Sequence, residues 1–588
     1  MNRLTEFLQP YRRQIIFAFF VMIIRAVSGL AGPYIIRLAI DQGMGAGDAT
    51  FLGEMVLVYM LATGLNWLTN FAQIYTMSWA GQNLIYNMRN RLFEHLQDLT
   101  LSFYDHYEVG RIISRVIGDV GVMQEFVTWA IVGLFSDIFV LVGIVFAMLS
   151  LNAQLSLLTF TVIPLMFVVT VLWRTRAREA FRQVRRKIAI VNANLNENIT
   201  GVRVVQAFVR EVTNLGYFER LNRDNLEANL DAARLSALFF PSVHIISSLA
   251  TALVIGFGGV AVLEGNLTAG VLVAMVLYVD RFFDPIRDLT QRYSTFQQTM
   301  ASGERIIELL DTEPEILEAT DAIELPPIVG NVRLNHVTFG YADPSAPLGK
   351  GVDVLHDISL DVPAGQTVAF VGETGAGKSS LVALLSRFYE VRKGSITVDG
   401  YDIRHVKSES LRRQMGVVLQ AMFLFSGTIL ENIRFGRLDA TEAEVIKAAK
   451  AVGADEFISN VENGYHSQVG EGGSALSVGQ RQLVSFARAL LADPRILILD
   501  EATSSIDTHT EQIIQRALEK LLKGRTSFVI AHRLSTITRA DQIVVIHDGR
   551  IVEQGTHQAL LAKHGMYFDL YTMSFRREQA QRALAELS

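Results

Sequence analysis

Six long apolar stretches, all before about residue 290, constrain this chain more than any other feature. They run approximately over Ile15–Ala39, Met55–Trp79, Phe126–Leu149, Leu155–Trp173, Leu238–Leu263 and Leu267–Phe283. A helix of roughly 20 apolar residues crosses a bilayer core, and these stretches meet that requirement. Lipid offers no partner to a backbone N–H or C=O, so segments of this kind must be helices. The first stretch follows Arg12 and Arg13 and is trailed by small residues, as a signal peptide would be. It is longer than an h-region of roughly 7–15 residues, and a retained helix is expected.

The chain has 588 residues, half of them hydrophobic, with a mean hydropathy of +0.28. That length exceeds one core, and the apolar surplus lies in the first half, so a membrane half and a soluble half are expected. The net charge of −6 gives no sign of nucleic-acid binding, and the absence of Cys excludes disulfides, thiolate chemistry and Cys-based metal sites. The short connections near Asp41–Thr50, Ser150–Gln154 and Glu264–Asn266 carry no Lys or Arg, whereas the opposite side carries many, from Arg89 to Lys187. The positive-inside rule then puts both termini and the two long connections in the cytoplasm. Those connections, Gln82–Glu125 and Arg174–Arg234, contain no Pro. They read as helices that continue beyond the membrane. Charges inside spans are functional candidates because burying one in hydrocarbon is costly. Asp137 and Arg25 are expected to line a polar cavity or to pair within the bundle, and Asn66, Asn70 and Gln73 suit a wet interior.

In the second half, Gly372-Glu373-Thr374-Gly375-Ala376-Gly377-Lys378-Ser379 matches the phosphate-binding P-loop, and Ser380 follows it into a helix. The apolar run Thr367–Val371 before it reads as a buried strand, which is the context the motif requires. The glycines let N–H groups close around phosphates at a helix N-terminus. Lys378 would reach the β- and γ-phosphates and the Ser379 hydroxyl would take Mg²⁺. Farther on, the apolar strand Arg495–Leu499 ends in Asp500 and Glu501. This is the Walker B pattern, with Asp500 holding Mg²⁺ and Glu501 placed as general base toward the attacking water. Gln420 ends the run Gly416–Leu419; its neutral carboxamide can ligate Mg²⁺ and orient that water.

These motifs, with the helix-tip sequences Phe103-Tyr104-Asp105 … Asp119 and Glu197 … Glu211, resemble ABC exporters over essentially the whole chain. The expected fold is a membrane all-α six-helix domain with long cytoplasmic helical extensions, fused to an α/β P-loop ABC ATPase domain. The resemblance implies a transmembrane domain over 1–300 with coupling helices near 103–119 and 194–211. A linker over 301–330, a nucleotide-binding domain over 331–575 and a helical tail over 576–588 would follow. It implies that Tyr341 stacks on adenine and that Gln420 opens the Q-loop. Leu476-Ser477-Val478-Gly479-Gln480 resembles the ABC signature LSGGQ, with Val478 replacing its first Gly. Ser477, Gly479 and Gln480 would face a partner chain's nucleotide, so two chains would sandwich two ATP molecules. Asp507 falls in the D-loop, and His532 matches the switch histidine that contacts the γ-phosphate. Gly470–Gly473 resembles the loop that meets the coupling helices.

The expected protein is therefore an ABC half-transporter that hydrolyses ATP with Mg²⁺ to export a substrate. Drugs or lipids of amphipathic character fit the mixed apolar and polar helices. A dedicated peptide or lipid transporter and an ATP-gated channel or regulatory ATPase are the other classes, and the intact Glu501 weighs against the last. The altered signature beside an intact Glu501 favours a heterodimer with one consensus and one degenerate ATP site; a homodimer that tolerates Val478 is the alternative. A prokaryotic plasma membrane is the expected location.

Overall fold

The computed structural model describes residues 6–341, 351–420, 422–500, 508–531, 533–573 and 575. The contacts divide the chain into two units, Met1–Gln97 with Gly110–Thr312, and Asp98–Val109 with Glu313–Ser588.

Among the described residues of the first unit, five helical runs are long and apolar enough to cross a membrane: Glu6–Met44, Ala49–Asp98, Val109–Leu151, Ala153–Thr200 and Glu211–Leu263. The sixth expected span lies within the helix Ala269–Leu310, where Asp280, Arg281 and Asp284 cut the apolar run short. At 1.5 Å per residue the 53 residues of Glu211–Leu263 extend about 80 Å, far beyond a hydrocarbon core of about 30 Å. This helix packs along Ile163–Thr200, tied by Lys187 to Asp224 at 2.7 Å and by Trp173 Nε1 donating to Leu235 O at 3.0 Å. The expected fourth span is broken at Thr161–Val162. Pro164 has no N–H for the Phe160 carbonyl, so the helical ladder must lapse there. An apolar core of Ile144, Met148, Val254, Met275, Tyr278 and Phe283 holds the unit together.

Three π-helical turns occur in the first and third long runs: Ala39–Met44 ends the first, and Arg115–Asp119 and Phe126–Ile131 interrupt the third. Each carries a polar tie to Ala269–Leu310 or to its N-cap. Asp41 accepts from Thr268 Oγ1 at 2.6 Å and from Gly270 N at 2.8 Å. Asp119 accepts from Ser302 Oγ at 2.9 Å and Arg305 Nε at 2.9 Å. The Trp129 carbonyl accepts from Arg292, whose Nε also donates to Asp137 at 2.6 Å.

The second unit contains two sheets. β1 (Val332–Phe339), β2 (Leu355–Val362), β4 (Lys393–Val398) and β5 (Tyr401–Asp402) form an antiparallel sheet in the order β2-β1-β4-β5. β3 (Thr367–Val371), β6 (Met415–Val418), β7 (Ile496–Asp500), β8 (Thr526–Ile530), β9 (Gln542–His547) and β10 (Arg550–Gly555) form the other, ordered β10-β9-β3-β8-β7-β6. All its pairings are parallel except that of β10, which is antiparallel. Its parallel strands are rich in β-branched residues and mostly apolar and buried, as a sheet covered on both faces requires, whereas the antiparallel β10 alternates between exposed and half-buried residues. The segment expected as a linker is bound to this unit in its second half: Leu325 and Ile328 are buried in its core, and Leu325 N donates to Ser410 Oγ at 3.0 Å. From the expected first helix tip, Leu101–His106 stands apart as a short helix; from Val109 the chain is already the returning helix. The second tip holds the short helix Val202–Ala207.

Candidate functional site

Parallel strands end on one edge of a sheet, and ligands bind in the crevice outside those ends. β3 ends at Val371 and β7 at Asp500, while β6 ends two residues before Gln420 and β8 two before His532. The strand pairing thus gathers the P-loop, Gln420 and Asp500 from segments up to 128 residues apart on one edge. Glu501, Asp507 and His532 lie outside the described residues.

The P-loop conformation is one that only glycine adopts at its key positions. Gly377 caps the helix Lys378–Leu385 with φ +101°, and a Cβ there would stand 2.6 Å from Leu355 Cδ2. At Gly372 a Cβ would stand 2.2 Å from the Ile546 carbonyl. Lys378 Nζ donates to the Gly372 and Glu373 carbonyls, each at 2.8 Å, so its ammonium is held over the loop. Burial lowers the Lys378 pKa, and the charge of Asp500 works against that shift. Glu373, Thr374, Gly375 and Ser379 are exposed along the loop, whereas Ala376 and Ser380 are buried.

The Mg²⁺ donors expected from sequence are a hydroxyl, a carboxamide and a carboxylate, on Ser379, Gln420 and Asp500. These are hard oxygen ligands, of the kind that suits Mg²⁺ completed by phosphate oxygens and water. The residues present therefore fit an Mg–nucleotide.

Tyr341 lies just after β1, 38% exposed, and its hydroxyl is 2.8 Å from Ser380 Oγ. The signature stands on a different element. Ser477 is the N-cap of Val478–Ala492, with Ser477 Oγ accepting from Gln480 N at 3.3 Å and Gln480 Oε1 accepting from Ser477 N at 2.9 Å. This capping box satisfies two end donors and fixes the helix start. Gly479 is buried, and the isopropyl of Val478 is 42% exposed at the first helical position.

In the first unit, the buried Asp137 pairs with Arg292, and Gly133 leaves the room for that guanidinium: a Cβ there would stand 2.0 Å from one of its nitrogens. Arg25 donates to Gln73 Oε1 at 3.3 Å and accepts through its carbonyl from Asn66 at 2.9 Å. Both charges are thus paired or hydrogen-bonded inside the bundle. Sequence reasoning missed Tyr389, Arg387 and Arg292. Tyr389 sits in a run that reads as ordinary helix core, and its hydroxyl donates to Asp105, 284 positions away. No local pattern signals such a pair.

The family model of the ABC transporter transmembrane region matches residues 15–286, and a second family model, ABC transporter, matches 355–504. The chain is 42% identical over 572 residues to the ABC transporter ATP-binding protein YknV of Bacillus subtilis, covering 97% of this chain and 94% of that one. It is 36% identical over 582 residues to an ATP-dependent lipid A-core flippase of Syntrophus aciditrophicus, covering 98% and 95%. A bacterial Atm1-family ABC exporter solved with ATP bound superposes with a TM-score of 0.78 at 29% identity, over 96% of this chain and 98% of that one. With both family models matched in this order and full-length relatives well above 30% identity, the chain belongs to the ABC transporters, as a multi-pass membrane protein whose Mg²⁺-dependent ATPase is coupled to transport.

Proposed function

We propose that this chain is one half of an exporter that moves amphipathic drugs or lipids out of the cytoplasm or inner leaflet by alternating access. The observation that carries the reading is the convergence of P-loop, Gln420 and Asp500 on one sheet edge, beside a separate, intact signature cap. A lipid-type cargo is supported by the flippase relative and by the polar groups of Arg25, Gln73 and Asp137 inside an apolar bundle. The bacterial relatives support a prokaryotic inner membrane, with the termini and the ATPase unit cytoplasmic by the charge of the loops.

Each site residue then has a task. Tyr341 stacks on the base. Gly372 to Ser380 cradle the phosphates, with Lys378 moving from its own loop carbonyls to the β- and γ-oxygens. Ser379, Gln420 and Asp500 hold Mg²⁺, which neutralises charge on the phosphates when bound. Glu501 takes the proton of the attacking water, and His532 contacts the γ-phosphate. Ser477, Gly479 and Gln480 serve the nucleotide of a second subunit, and Asp507 lies at that interface. Positioning and charge stabilisation carry nearly all of such catalysis.

The exposed Val478 favours a heterodimer, in which this chain's altered signature serves the degenerate site and its Glu501 the consensus one. The homodimer is supported by what Val478 leaves intact, namely the backbone N–H at that position and the capping box. The purified chain in nanodiscs tests both levels. Brisk ATP hydrolysis that falls on the order of 10²–10³-fold in Glu501→Gln supports the ATPase reading and the homodimer. A stable, nearly inactive chain rescued by a co-expressed subunit lacking the catalytic Glu supports the heterodimer. ATP-dependent uptake into inside-out vesicles supports export; hydrolysis without any uptake sinks it.

A further inference from the structure

The second unit contains a continuous side-chain path from the base-stacking tyrosine to the helix Leu101–His106. Tyr341 meets Tyr389 edge-on, with ring centroids 5.2 Å apart and planes at 88°. Both pack on Phe339, at 5.0 and 5.6 Å. Tyr389 is buried, and its hydroxyl donates to the carboxylate of Asp105 on that short helix. Burial, together with Asp105, pushes the phenol pKa upward, so Tyr389 remains a donor through the physiological range.

The turn that presents Tyr389 is held from several sides. Arg387, fully buried with φ +50°, donates to the carbonyls of Val406 at 2.7 Å and Arg404 at 3.2 Å. Arg412 lies over the Phe388 ring at 5.1 Å and donates to the Ser386 and Arg387 carbonyls. This turn follows directly from the P-loop helix Lys378–Leu385, and Tyr341 is bonded to Ser380 on that same helix. Tyr341, in contrast, is partly exposed.

We propose that Tyr389 is a positioning residue that links occupancy of the nucleobase site at Tyr341 to docking of the helix Leu101–His106 through Asp105, which makes this coupling sensitive to the base and not to phosphate alone. The proposal rests on the assignment of Tyr341 as the base-stacking residue. A base on the exposed face of Tyr341 fixes that ring; the edge-to-face contact then fixes Tyr389 and aligns its hydroxyl with Asp105. By reciprocity, a docked helix raises affinity for the base by the same factor.

Amide hydrogen exchange of the full chain in nanodiscs tests this, comparing Mg-AMP-PNP with Mg-tripolyphosphate at saturation. Couplings of this kind run from about 5- to 150-fold. The expected result is roughly tenfold slower exchange at residues 102–107 with AMP-PNP and less than about twofold with tripolyphosphate. Tyr389→Phe and Asp105→Asn should each lose the protection at saturation and, by the same reciprocity, bind AMP-PNP roughly tenfold more weakly than the parent, and the double variant should lose no more than either alone. Unchanged exchange of β3 and β8 amides in these variants shows that the sheet is intact. Full protection in Tyr389→Phe, or equal protection by tripolyphosphate, overturns the proposal. Failure of the parent chain to bind AMP-PNP overturns the nucleotide-site reading itself, and the proposal with it.

Discussion

At Gly377 two requirements coincide: a left-handed φ of +101° and a Leu355 methyl 2.6 Å from where a Cβ would be. A side chain costs about 1–2 kcal/mol in that backbone region before the clash is counted. Because the residue starts the helix that carries Lys378 and Ser379, relief of the clash would shift both. Gly377→Ala is expected to weaken binding of a fluorescent ATP analogue by more than about tenfold while leaving the melting temperature within a few degrees. This is also why the P-loop is legible in sequence: a conformational demand at single positions translates directly into residue type. Tyr389 shows the opposite case. Its importance comes from partners at Tyr341 and Asp105, and nothing at position 389 itself records them.

At the scale of elements, the helix Ala269–Leu310 is the common partner of the three π-helical turns. Wide turns of this kind leave carbonyls without their usual i+4 donor, and the Arg292 bond to the Trp129 carbonyl fills one such gap. Arg292 simultaneously neutralises the buried Asp137. Breaking a buried pair from one side leaves an uncompensated charge, at a cost of about 3–5 kcal/mol. Arg292→Leu is therefore expected to lower the thermal stability of the purified protein sharply. Adding Asp137→Leu should recover most of the loss, and the double variant falling as low as the sum of the singles would show the pair to be uncoupled. The apolar spans were legible because lipid forces helix on any such stretch. The π turns and the break at Thr161–Val162 were not, since they follow from local bonding and from the Pro164 ring.

At the scale of the whole molecule, the two units are each closed by their own core, and the second includes more chain than its motifs announce. Asp399, in the turn between β4 and β5, accepts from the N–H groups of Val329, Gly330 and Asn331 at 2.5, 3.2 and 2.7 Å. Its partial burial raises the carboxyl pKa, but those N–H donors outweigh it and hold the pKa below the ordinary value. A depressed folded-state pKa stabilises above the unfolded value, and that contribution is lost as pH falls through the lower one. Because Asp399 is only partly buried, solvent screens its charge and about 1 kcal/mol is the appropriate scale. Asp399→Asn should lower the unfolding midpoint of the ATPase unit at pH 7, with most of the difference persisting to about pH 4 and shrinking as pH falls further below it; a gap independent of pH would refute the charge-based account.

By itself the sequence determined that the first half is a helical membrane unit and that the second binds a nucleotide, because lipid solvation and phosphate geometry each demand particular residues at particular spacings. It also carried the order of P-loop, Q-loop, signature and Walker B, which identifies the family. Only the tertiary structure decided that Asp137 pairs with Arg292, that Leu325 and Ile328 belong to the ATPase core, and that Asp105 meets Tyr389. Each of those depends on which distant segments the packing brings within hydrogen-bond reach, a property of the folded chain that no local pattern encodes.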